Sequence, residues 1–375
     1  MLQRDAMADK GAQRDLRNVY GWRRFGAFWV AVLLSMAIGA GILQLLGPPV
    51  APPNQDRTPA DVAPLAAGPP PGPAVRLVAP VLAGRDTPGP IADPDPALLE
   101  PLSKGSKENL PRIASDGRLA MQVYAAGFDH SSRRPRIGLL LADIGMNEAE
   151  SAAAIRTLPG AVSLAVSPYA AANRPNLPKL LATARATGHE YLIAVPLEPA
   201  GFPLNDPGPS TLLTGAPAAA NVRTLRWALS RIDGYVGVTG VIGTMRGERL
   251  AAMADQMAPV LSDLAGRGLL YIDPREGSGP IAKTWGRHVD LVIDDAADQG
   301  VADRAMIDSK LAALEQQARD AGSALGLVML PTPVAVARIA AWSNGLVDRG
   351  LTLAPVSALV LPPADPAVKL SERQW

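Results

Sequence analysis

"RIGLLLADIGMNEAE", Arg136 to Glu150, decides how the chain is read. Three consecutive leucines inside an apolar run fit a strand covered on both faces, as in a parallel sheet. Gly145 then lets the chain turn, and Asn147-Glu148 is the start signal of a following helix. The pair Ala142-Asp143 therefore stands where a parallel strand ends and its helix begins, the position at which α/β proteins gather their chemistry.

Similar short apolar runs recur along the chain: 161–166, 191–196, 234–240, 269–273, 289–294, 324–330 and 351–356. Amphipathic stretches of helical length lie between most of them, at 148–158, 178–187, 219–231, 248–267, 302–321 and 334–349. Gly188, Gly268, Gly322 and Gly350 fall where helix C-termini favour glycine. Strand–helix alternation over this length predicts one α/β domain, a (β/α) barrel first and an open doubly wound sheet second. No repeat of 20–50 residues is visible, which argues against a solenoid. In a barrel the strand ends converge on one face. The candidates there are Asp143, Ser167, Glu198, Thr239 to Thr244, Asp273 with Arg275, Asp294-Asp295 and Pro331-Thr332-Pro333.

The charge balance, 36 basic against 35 acidic residues, provides no field that would gather nucleic acid, and aromatic residues make up only 4%. No nucleic-acid partner is expected. The absence of cysteine excludes disulfides, thiolate metal sites and cysteine nucleophiles. "EGSGP" (276–280) lacks the serine elbow of hydrolases, and "GVTGVIGTMRG" (237–247) lacks the Lys-Ser/Thr of a phosphate loop.

Residues 25–47, "FGAFWVAVLLSMAIGAGILQLLG", carry no charge, and their length suffices for a helix across a ~30 Å hydrocarbon core. Arg4, Lys10, Arg14, Arg17, Arg23 and Arg24 precede this stretch, and the next basic residue is Arg57. The positive-inside bias then predicts a cytoplasmic segment 1–24, a transmembrane helix 25–47 and a periplasmic remainder, hence a single-pass inner-membrane protein. A cleaved signal peptide fits less well, because its apolar core would be shorter and end at a small-x-small site. Residues 48–111 hold 17 of the 37 prolines and no aromatic, which predicts a disordered, semi-stiff tether. The folded domain is expected at 112–361, with a tail at 362–375.

"GHEYLIAVPLEPAGFPLNDPGPSTLLTG" (188–215), with "LLLADIGMN" before it and "GYVGVTGVIGT" after, resembles the divergent polysaccharide deacetylase family of bacterial envelopes. The resemblance extends from about Leu110 to Leu359. It implies an irregular (β/α) barrel of the polysaccharide-deacetylase (NodB-like) type and a role in envelope carbohydrate metabolism. An envelope glycan such as peptidoglycan is the implied partner, with the inner membrane reached through the N-terminal helix and an envelope protein as a further partner. Members that look active have paired acids where this chain has Ala142-Asp143, and a histidine at the position of Ala194. They have an Asn-His-Met-Gly-Ser segment where this chain has "GVIGT", so Val241 replaces a histidine. A further histidine, of Gly-His-Pro, corresponds to Leu330 in "MLP". Asp273 and Arg275 keep the Asp-x-Arg of the family.

The resemblance implies a metal-bound water that attacks an N-acetyl carbonyl, with a carboxylate as base. A catalytic zinc usually takes three protein ligands, and imidazole is the commonest. The only histidines are His130, His189 and His288, which are scattered without ligand spacing and read as structural. Asp143, Asp273 and Arg275 are the catalytic candidates, and Asp143 with Asp294 the only metal candidates, suited to a hard cation. Asp143 serves equally as a turn acid, and Asp273–Arg275 as a structural ion pair. The expectation is a catalytically degenerate binding protein without a cofactor. The alternative is an active hydrolase of N-acetyl groups that uses a divalent metal at a carboxylate-only or atypical site.

Overall fold

The computed structural model describes residue 82, residues 84–294 and residues 303–364. The expected cytoplasmic segment and transmembrane helix, the tether up to residue 81, Asp295 and residues 365–375 lie outside them. None of the described helices is long and apolar enough to cross a membrane.

The folded unit begins before the boundary expected at residue 112. Strands β1 (Leu99–Pro101) and β2 (Asn109–Pro111) form an antiparallel ribbon, and a 3-10 turn at Pro96–Leu98 precedes it. Leu98 is fully buried, and the Ile91 N–H donates to the Arg185 carbonyl. The prolines that suggested disorder sit where no backbone donor is needed: Pro96 in the first turn of a helix, Pro101 and Pro111 at ribbon ends. Proline content therefore misplaced this boundary.

The short helix α1 (Ala120–Val123) leads to β3 (Arg136–Ile144), and Asn147 caps α2 (Glu148–Thr157) by accepting from the N–H groups of Ala149 and Glu150. Strand β4 (Ser163–Val166) is followed by α3 (Pro168–Asn173) and α4 (Leu177–Ala186), and β5 (Tyr191–Ala194) by α5 (Ala218–Leu229). Strand β6 (Gly237–Thr239) precedes α6 (Glu248–Ala251) and α7 (Ala254–Gly266), so the single helix expected at 248–267 is broken at Ala252-Met253. Strands β7 (Leu270–Glu276), β8 (Gly286–Val289) and β9 (Leu291–Val292) follow. Helix α8 (Arg304–Ala321), β10 (Ser323–Val328), α9 (Pro333–Ser343) and β11 (Thr352–Leu353) complete the order.

The large sheet runs β8-β7-β6-β5-β4-β3-β10-β9 with parallel pairs throughout, and β11 adds to the first residues of β3. Its two ends are consecutive pieces of one strand: 286–289 pair with β7, and 291–292 pair with β10. That handover makes a parallel, nearly closed α/β barrel. Asp290 sits at the switch, where its carboxylate accepts the Leu325 N–H and the Arg287 guanidinium. Burial holds the Arg287 pKa below its usual value, and Asp290 acts against that shift.

Two glycines tell the faces apart. A Cβ at Gly138 would strike Leu359 and Leu325, so even-numbered β3 residues point into the barrel. A Cβ at Gly326 would strike Leu139 and Leu314 of α8, so its face points out to the helices. Leu139, Leu140 and Leu141 are all at 0% exposure, as a strand packed on both sides requires. The lower end of the barrel holds Glu190, whose carboxylate accepts from Ala126 N, Ser357 N and the hydroxyls of Ser163 and Ser357.

Asp290→Ala leaves the Arg287 guanidinium buried without its acid and removes the carboxylate from the seam. It is expected to lower unfolding stability by about 3 kcal/mol with an unchanged denaturant slope. Urea titration checks this, and a loss too small to measure would show that backbone pairing alone closes the barrel.

Candidate site at the barrel mouth

Strand β3 does not run regularly to its end. Its register with β4 shifts between Leu141 and Ile144, and Asp143 occupies that bulge with φ 59°, a left-handed conformation that aspartate tolerates better than most residues. The bulge breaks the alternation at Asp143, whose carboxylate lies near enough to the loop after β6 for the Gly243 N–H to favour its ionised form. Burial raises the Asp143 pKa from 3.8 to about 6; the Gly243 N–H opposes the rise and the charge of Glu150 adds to it. No ion pair with Asp143 exists among the described residues.

The registers place an inward-facing layer beneath it. Ala194 pairs with Thr239, and Thr239 with Ile272, while Ser167 follows Val166, the partner of Ile193, and so stands level with Ala194. Side-chain alternation therefore turns Ser167, Ala194, Thr239 and Ile272 to the same inner face. Ser167 and Thr239 are 2% and 0% exposed, and neither hydroxyl has a hydrogen-bond partner among the described residues. Buried hydroxyls are seldom left so. Ser167 adjoins Asp143 through the bond from its N–H to the Ile144 carbonyl. The loop after Thr239 turns back on itself through reciprocal backbone bonds of Ile242 and Met245.

The other candidates are dispersed. Asp294 accepts the backbone N–H groups of Met329 (2.7 Å) and Leu330 (2.9 Å), so its carboxylate tethers the end of β10. Strand β10 stands between β9 and β3, which separates Asp294 from Asp143 by two strand spacings, about 10 Å. Asp273 faces outward on β7. It accepts from Arg275 through the backbone N–H, Nε and Nη2, and lies 3.4 Å from His288 Nδ1. Asp143 and Asp273 are thus on different faces of the wall. Glu198 is bound by the Thr214 N–H and hydroxyl and by Arg249, which anchors the 199–215 loop. His189 is enclosed, with its ring nitrogens against the carbonyls of Val162 and Ile155, and His130 packs edge-on to Phe128.

The four positions at which the family resemblance expects other ligands are Ala142, Ala194, Val241 and Leu330. The first three are buried and all four are apolar. No cluster of three His, Cys, Asp or Glu able to hold a metal occurs among the described residues. The donor set present does not fit a three-ligand zinc site. Ser167 and Thr239 were legible as strand-end residues. The Gly243 N–H and the His288–Asp273 contact were not, since both depend on loop and strand pairing.

The sequence model of the divergent polysaccharide deacetylase family matches residues 139–360. An uncharacterized protein of Agrobacterium tumefaciens C58 has a crystal structure similar to this chain, at 32% identity and a TM-score of 0.58, over 67% of this chain and 99% of that one. The catalytic domain of a peptidoglycan N-acetylglucosamine deacetylase from Eubacterium rectale ATCC 33656 is similar at 12% identity and a TM-score of 0.39, over 59% of this chain and 88% of that one. No curated protein matches the sequence.

The raised Asp143 pKa means that the folded protein holds this proton more tightly than the unfolded chain does. The resulting stabilisation is complete below about pH 4 and is lost as pH rises through about 6. Asp143→Asn, which tolerates the same backbone conformation, is expected to match the parent near pH 4. At pH 7.5 it should exceed the parent by about 2 kcal/mol. Unfolding titrations across pH 4–8 check this, and parallel profiles for the two proteins would contradict it.

Proposed function

The chain belongs to the divergent polysaccharide deacetylase family, and on that premise we propose that it is a membrane-tethered envelope protein whose barrel mouth binds a glycan without hydrolysing it. The observation that carries this reading is the apolar set Ala142, Ala194, Val241 and Leu330 around the retained Asp143. Activation of water on a metal needs donors that remove the ion from bulk solvent, and methyl and isobutyl groups supply none. Shape, the polar groups at the mouth and the anchored 199–215 loop are what remain to recognise a sugar chain. Peptidoglycan or another envelope glycan is the ligand in this reading, and an envelope protein is a further partner at the same face.

The location follows from the N-terminal sequence: an uncharged stretch 25–47 behind a basic segment supports an inner-membrane anchor with the barrel in the periplasm. One observation favours a second reading, an active hydrolase with an atypical site. An acid whose pKa is about 6 is poised to exchange protons near neutral pH, as general bases and acids are.

The two readings separate in one experiment. The purified protein is expected to hold well under one equivalent of zinc by metal analysis, to release no acetate from N-acetylated glycans, and to co-sediment with insoluble peptidoglycan. Chelator-sensitive acetate release that Asp143→Ala abolishes would establish the hydrolase instead. For the anchor, protease added to spheroplasts is expected to digest the barrel and spare the first 24 residues; protection of the barrel would reverse the orientation.

A further inference from the structure

Outside the barrel wall a cavity of about 280 Å³ opens to solvent between α3, α4 and the turn that leads from α5 into β6. None of its lining residues belongs to a strand, so it is separate from the mouth. Leu177, Leu181 and Ile232 give it an apolar floor, and its charged lining is Arg185, Arg231 and Asp233. Two bonds join the first and last of these: Arg185 Nη1 donates to the Tyr191 hydroxyl at 2.6 Å, and that hydroxyl donates to the Asp233 carbonyl at 2.8 Å. Arg231 stands in the same turn, with its guanidinium over the Trp227 ring and its Nε bonded to the Trp227 carbonyl. Its Nη2 serves Glu108 and Ser230, whereas its Nη1 has no partner among the described residues. Apart from Tyr191, the Arg185 side chain bonds only Asp93, whose own side chain is 90% exposed. The half-buried Asp233 carboxylate has Asn109 as a donor and no ion pair among the described residues, and burial raises its pKa.

We propose that this cavity binds a free α-amino acid with an apolar side chain, its carboxylate on Arg231 and Arg185, its ammonium on Asp233 and its side chain on the leucine–isoleucine floor. The assignment concerns a second site and does not rest on the glycan reading of the mouth. A guanidinium with unused N–H groups suits a carboxylate, and a carboxylate with spare acceptor sites suits an ammonium. The charges favour a ligand that carries both. With Asp233 ionised, Asp93, Glu108 and Asp233 outnumber Arg185 and Arg231 by one. A simple anion would add to that excess, and a simple cation would leave the Arg231 donors idle. The volume limits size as well, because it falls below the ~300–1,000 Å³ of sites for larger ligands. A residue within a peptide chain offers neither charge and would have to enter with its neighbours.

The test is calorimetric titration of the full-length protein in detergent with L-leucine, D-leucine, N-acetyl-leucine, leucinamide and glycine. Leucine of at least one hand is expected to bind about tenfold or more tightly than N-acetyl-leucine, which lacks the ammonium, and leucinamide, which lacks the carboxylate. Glycine, without a side chain for the floor, should bind more weakly than leucine. Asp233→Asn should lower leucine affinity to about that of N-acetyl-leucine. Ala171→Phe fills the cavity without altering a charge and should abolish binding while circular dichroism stays unchanged. Absence of saturable binding by either hand of leucine overturns the proposal. So does binding of N-acetyl-leucine or leucinamide as tight as that of leucine, or leucine binding that survives Ala171→Phe.

Discussion

Closure of the barrel by a single strand is the constraint on which the other features depend. Residues 286–292 begin beside β7 and finish beside β10, so the two ends of the sheet nearly meet. An open parallel sheet would expose unpaired N–H and C=O groups on two edges and would need helices or loops to cover them. Here the switch costs one irregular residue, Asp290, whose carboxylate replaces the missing ladder contacts by accepting from Leu325 and Arg287. Closure also fixes which side chains meet. Once β3 and β7 lie on opposite sides of the circuit, inward and outward alternation decides that Thr239 and Ile272 share the interior while Asp273 does not.

The same closure makes the interior dry, and a dry interior raises the stakes of each polar group inside it. Glu190 meets that demand with two backbone N–H groups and two serine hydroxyls. Burial still pushes its pKa upward, but the four donors oppose the shift. Asp143 is partly exposed, so solvent can share in satisfying it, and it keeps a left-handed backbone, a conformation that costs roughly 1 kcal/mol outside glycine. Two acids of one barrel thus differ in their surroundings, and the more exposed one stands at the end where strands of this architecture present their ligands.

Much of this was readable from residues alone. The leucines of β3, the glycines at helix ends and the spacing of the apolar runs gave the alternation of strands and helices, because each depends on neighbours close in sequence. Asn147 as the cap of α2 was legible for the same reason. The start of the domain was not: prolines at 96, 101 and 111 read as disorder, whereas their positions at a helix start and at ribbon ends become visible only when partners such as Leu98 and Arg185 are placed. The candidate acids were legible as strand-end residues, because a strand end is marked by its own neighbours in sequence. Their grouping was not legible, because it depends on the bulge that re-aims Asp143 and on β10 standing between Asp143 and Asp294.

The volumes at the mouth bear on what replaced the family's ligands. Deeper inward positions mix bulk with small residues: Leu140, Leu192, Leu270, Leu325 and Leu327, all at 0% exposure, share that face with Gly138, Ala165 and Gly237. The methyl groups of Ala142 and Ala194 continue that pattern, so their size is what packing beside the inward leucines allows. What sets the upper layer apart is polarity: the hydroxyls of Ser167 and Thr239 are buried there with no hydrogen-bond partner among the described residues, which is unfavourable for folding.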